Sequence, residues 1–149
     1  MSKKTLEVSL ERMSGDFHFE AQGASKIPVC IDAGTSIGGT NRGASPMELL
    51  LMGIGGCSAI DVVMILKKSK QIIEDIRISV SGIRDAEAVP APFEKIHLEF
   101  RLKGKIKQHK AEEAIRLSME KYCSAAVMLA KTAEITWSCK LEKFEGGQL

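Results

Sequence analysis

Four residues of this chain can do chemistry without outside help: Cys30, Cys57, Cys123 and Cys139. None pairs with another as Cys-x-x-Cys, and their spacing fits no zinc template, so a metal site is not expected. What remains open to them is buried packing or redox chemistry through a thiolate, the reactive form of the group. Cys139 follows Trp137 on the inward side of a strand pattern, where a free cysteine packs as a small hydrophobe. Cys30 falls on the polar side of an edge-strand pattern, with nothing near it in sequence to activate it. Cys57 and Cys123 sit among small residues, in "GGCSA" and "YCSAA". Small neighbours admit a backbone, a second helix or a ligand. Cys123 also opens a short helix, whose N–H groups favour a thiolate. For both, packing and reactivity stand open at this level. His18, His97 and His109 show no pairing at metal-ligand spacing.

The elements that must position these thiols follow from periodicity. "KTLEVSLERM", "DFHFEA" and "KIPVCID" read as three strands, with Leu6, Val8, Leu10, Phe17, Phe19, Ala21, Val29 and Ile31 inward. The stretch "AGTSIGGTNRGAS" reads as a long loop. Ser45, Pro46 and Glu48 make a helix start with a capping box, and the helix runs to about Lys70. It is apolar almost all round between Leu49 and Leu66, so it should be buried on most faces, which points to a dimer. Gly53, Gly55 and Gly56 crowd one turn of it at a cost in helix propensity, leaving clearance for a backbone, a second helix or a ligand near Cys57. "DIRISVSGI" and "FEKIHLEFRLKG" are two further strands, "QHKAEEAIRLSMEKY" an amphipathic helix, "SAAVMLAK" a short helix and "AEITWSCKLE" a last strand. Strands and helices are partly segregated, which makes the fold class α+β.

The 149 residues suit one domain, 1–149, with a core large enough to fold without disulfides. A net charge of +2 with interspersed signs offers no basic stripe for nucleic acid. "MSKKTLEVSLERM" has no apolar run, so no signal peptide is expected. The longest charge-free apolar piece, Leu49 to Ile60, is shorter than a membrane span. A cytoplasmic location follows as an expectation.

"SPMELLLMGIGGCSAIDVV", followed later by "EKYCSAAVMLAKTAEITW", resembles the OsmC/Ohr family of small thiol peroxidases, and the order of elements agrees along nearly the whole chain. The resemblance implies an intertwined homodimer with its sites at the subunit interface. It implies that Cys57 attacks an organic hydroperoxide and becomes a sulfenic acid, and that Cys123 condenses with it to a disulfide. An external dithiol then reduces the disulfide, with no metal or other cofactor.

Two departures from the family pattern stand out. Typical members carry a Glu directly after the helix-starting Pro, paired with an Arg from the preceding segment. Here Met47 takes that place, and Glu48 comes one residue later, about 100° further round the helix. Glu48 is thus either the cap partner of Ser45 or a catalytic carboxylate, and Arg42 is the candidate arginine. Asp61, four residues after Cys57 on the same helix face, would raise the thiol pKa unless a cation neutralises it. These departures leave a second reading: a non-enzymatic dimer that binds an apolar or thiol-reactive small molecule. Structural zinc is a third.

Overall fold

The computed structural model describes residues 2–142. They form two compact units, one ending at Leu50 and the other beginning at Leu51. In the first unit, β1 (Ser9–Ser14), β2 (His18–Gln22) and β3 (Val29–Ile31) make an antiparallel sheet in that order. The strands are shorter than alternation suggested. Leu6 and Val8 precede β1 and are 80% and 72% exposed; Leu10, Phe17 and Val29 are exposed as well. Alternation marks a face that can be buried, but burial requires a layer to cover it, and these side chains remain exposed among the described residues.

Asp32 organises the loop after β3. It is 2% exposed. Its Oδ2 accepts from Thr40 Oγ1 at 2.7 Å and from Arg42 N at 3.0 Å, and its Oδ1 accepts from Ala33 N at 2.7 Å. These bonds, led by Thr40, hold its pKa below the ordinary 3.8 against the opposing effect of burial. The loop returns to the sheet through an Ile31–Ala44 bridge. There the Gly43 Cα lies so close to the Cys30 carbonyl that any Cβ would collide with it.

Helix α1 (Pro46–Lys68) starts at the capping box the sequence announces. Ser45 N donates to Glu48 Oε2 at 2.6 Å, and Glu48 N donates to Ser45 Oγ at 3.3 Å. The Ser45 amide, and after it the Ser45 side chain, holds the Glu48 carboxyl below its usual range.

The second unit carries a sheet ordered β4 (Ile72–Arg84), β5 (Phe93–Lys105), β6 (Glu134–Glu142). β4 pairs antiparallel with β5, and β6 runs parallel to it. As the central strand, β5 buries Phe93, Ile96, Leu98, Phe100 and Leu102. Helix α2 (Gln108–Leu117) adds Ala111, Ala114 and Ile115 to this core. A π-helical turn, Ser118–Tyr122, and α3 (Ser124–Leu129) follow.

Helix α1 buries Ile54, Ser58, Val62 and Leu66, a single stripe at intervals of four. Other apolar residues of the helix are left open by the described residues: Met52, Ile60 and Met64 are 57%, 63% and 52% exposed. The glycines divide accordingly. Gly55 packs against β4, where an added Cβ would lie 3.2 Å from Val80 Cγ2. Added carbons at Gly53 and Gly56 would meet nothing within 4 Å. Among the described residues, then, no group occupies the clearance at Gly53 or Gly56.

Candidate active site

Cys57 lies midway along α1, and Asp61 lies one turn further on. Cys123 comes from the far end of the second unit, as the N-cap of α3. The fold brings the three together: both sulfurs and a carboxylate oxygen lie within 4.8 Å of one another. Both thiols are free; Cys57 is half-buried and Cys123 fully buried.

Ser118 holds this cluster. It is fully buried, and its Oγ donates to Asp61 Oδ2 at 3.0 Å. Its carbonyl accepts from Cys123 N at 2.7 Å, five residues on. That five-residue step is the hydrogen bond that widens the turn into a π-helix, a distortion often found at functional sites. On the sequence, Ser118 was one more position on the inward face of an amphipathic helix. A serine at a core-facing position next to a candidate cysteine was the available signal for its polar role.

The expectation that the start of α3 favours a Cys123 thiolate does not hold. Ala126 N donates to Cys123 Sγ at 3.3 Å and does lower the pKa, but burial outweighs it. The thiol is pushed up to about 12 by burial first, with Cys57 and the Asp61 charge adding to it. At neutral pH Cys123 is therefore a protonated thiol.

Cys139 lies on β6, half-buried, and burial pushes its thiol up to about 11. Cys30 is exposed on β3. His97 uses its two ring nitrogens on Thr136 Oγ1 at 2.7 Å and Ser138 Oγ at 3.3 Å, across the polar face of the sheet. His18 meets Ser14 Oγ at 2.9 Å.

Arg42 and Glu48 belong to the first unit. The Arg42 guanidinium donates to Ser14 Oγ at 3.4 Å, and Glu48 is engaged in the capping box. Among the described residues no ion pair joins the two.

The α+β fold thus sets two cysteines distant in sequence within 4.8 Å of each other, one on the long helix α1 and one capping α3. Residues 39–138 match the family model for OsmC-like proteins. Protein YhfA of Escherichia coli K12 is 40% identical over 121 residues, which cover 80% of this chain and 87% of YhfA. A hypothetical protein from Aquifex aeolicus VF5 is 35% identical, covers 94% of this chain and 99% of its own, and superposes with a TM-score of 0.78. An OsmC-like protein from Mycoplasma pneumoniae shares the fold at a TM-score of 0.80 and 17% identity, over 94% of this chain and 99% of its own. The chain belongs to the OsmC/Ohr family.

Proposed function

We propose that this protein is a thiol-dependent peroxidase that reduces organic hydroperoxides. The supporting observation is that Cys57 and Cys123 approach within 4.8 Å, with the more accessible thiol on the central helix and the other buried behind it. In the first step the Cys57 thiolate attacks the O–O bond. It becomes a sulfenic acid, and the leaving alkoxide takes a proton to give the alcohol. In the second, the Cys123 thiol displaces hydroxide from that sulfur, forming the disulfide and one water. An external dithiol restores both thiols by exchange. Ser118 and Asp61 position the second thiol. We assign the covalent steps to the two cysteines alone; Arg42→Ala and Glu48→Gln activities measure what those charges add.

The working unit in this reading is a homodimer in the cytoplasm. The exposed apolar residues Met52, Ile60 and Met64 of α1 support the dimer. By length and composition α1 could also cross a membrane. Its buried stripe, and the packing of Gly55 on Val80, favour a core helix instead.

The test is mass spectrometry of the reduced protein after one equivalent of cumene hydroperoxide, together with peroxide consumption in excess dithiothreitol. A Cys57–Cys123 disulfide and turnover lost in Cys57→Ser are expected. Absence of both overturns the reading in favour of a binding protein, and turnover that survives Cys57→Ser overturns the role given to Cys57.

A further inference from the structure

Cys57, Asp61 and Cys123 form a cluster of three lone-pair donors in which each pair of ligand atoms lies within 4.8 Å. We propose that, in the reduced protein, this cluster binds a thiophilic d10 divalent cation of the zinc class through both sulfurs and one Asp61 oxygen. The inference does not depend on the peroxidase reading, since it concerns binding by the reduced thiols.

Three observations carry it. First, the geometry is close to that of a bound ion. Two sulfurs on a tetrahedral zinc, each about 2.3 Å from the metal, stand about 3.8 Å apart, and the two here lie within 4.8 Å of each other. Second, the carboxylate is already oriented from behind. Ser118 Oγ, fully buried, donates to Asp61 Oδ2, the kind of outer hydrogen bond that fixes a ligating carboxylate. Third, the cluster gathers two thiols and a carboxylate that no ion pair engages. Among the described residues of this unit, no lysine, arginine or histidine forms an ion pair with Asp61. Binding would release the thiol protons to solvent, and the divalent cation would then offset the ionised sulfurs and the carboxylate.

The chain spacing of the cysteines gave no sign of such a site because Cys123 enters from another element. The pair on α1, Cys57 and Asp61 one turn apart, is legible as two ligands on one helix face only once the third arrives. Three protein ligands leave a fourth position open, as in exchangeable or catalytic zinc sites. A cavity of about 260 Å³ lined by Asp61, Met64, Ile65, Lys68, Leu117 and Tyr122 gives access from the carboxylate side.

The test uses the full-length reduced protein, zinc with a competing chromophoric chelator, and cobalt as a spectroscopic probe. The expected result is one zinc per chain and a cobalt spectrum with intense thiolate charge-transfer absorption and tetrahedral visible bands. Cys57→Ser should abolish binding, and Asp61→Asn should weaken it by about 10- to 100-fold or more. A Cys30→Ser/Cys139→Ser double variant should bind as the parent does. No stoichiometric zinc on the reduced parent overturns the proposal, as does Asp61→Asn with unchanged affinity or a site lost in the Cys30/Cys139 variant. Circular dichroism confirms that each variant is folded. If Cys123→Ser does not fold, Cys57→Ser and Asp61→Asn decide the question.

Discussion

Ser118 donates to Asp61 Oδ2 across 57 positions of chain, at 3.0 Å, while its own carbonyl holds the amide of Cys123 at 2.7 Å. One buried serine thus ties the carboxylate on α1 to the turn that presents the second thiol. Replacing it with alanine leaves the Asp61 oxygen without its donor, at a cost of about 1–3 kcal/mol. Ser118→Ala should unfold at lower denaturant concentration and form the Cys57–Cys123 disulfide more slowly. Chemical denaturation and timed mass spectrometry read the two effects.

Glu48 and Ser45 make reciprocal bonds at the start of α1. Glutamine at position 48 can still close such a box. Glu48→Gln should therefore keep both thermal stability and peroxide turnover near the parent's. Ser45→Ala removes the cap itself and should cost about 1 kcal/mol. A tenfold loss of turnover in Glu48→Gln alone would mean that the carboxylate charge serves the reaction.

Ile60 is exposed in the single chain, next to half-buried Asp61. On a monomer, arginine there would be nearly neutral. If α1 lines a subunit interface, Ile60→Arg buries an unpaired charge and should dissociate the dimer. Light scattering after size exclusion at several concentrations should show a dimeric parent and a monomeric variant.

Burial pushes the Cys123 thiol from the ordinary 9.0 to about 12 and the Cys139 thiol to about 11. The folded chain keeps protons that the unfolded chain releases above pH 9. The stabilisation is complete below that point and declines as pH rises toward 11 to 12. Unfolding free energies should fall across this window, with a shallower slope for Cys139→Ala. At the acid end the sign reverses for Asp32, whose pKa is lowered. Its contribution is present above 3.8 and is lost as pH drops through its folded value.

Most of the element order was legible because apolar periodicity records it directly: β4, β5, α2 and β6 lie within a few residues of their patterns. The Cys57–Cys123 pairing was legible only through family resemblance, since no local pattern relates two residues brought together by tertiary packing. Asp32 and Ser118 were missed as organising residues because periodicity reports apolar burial and is blind to a polar group whose partners are remote or lie in an irregular loop. The inward face assigned to Leu6, Val8 and Leu10 is not formed among the described residues: Leu6 and Val8 precede β1, and all three are exposed. The role given to Gly53 and Gly56 was likewise an inference about neighbours, and the described residues place none beside them.

The wide turn at Ser118–Tyr122 also sets a phase. A helix advances about 100° and 1.5 Å per residue, and the bond from Cys123 N back to the Ser118 carbonyl spends one residue more than an α-turn would. That surplus residue works like a one-tooth offset between two gears, deciding which side chain arrives opposite Cys57. Removing any single residue between Ser118 and Cys123 would restore regular α-helical gearing and carry the sulfur round by more than a disulfide or a shared ion tolerates. The spacing between α2 and α3 is therefore metered in whole residues, and this stretch should accept substitutions far more readily than insertions or deletions.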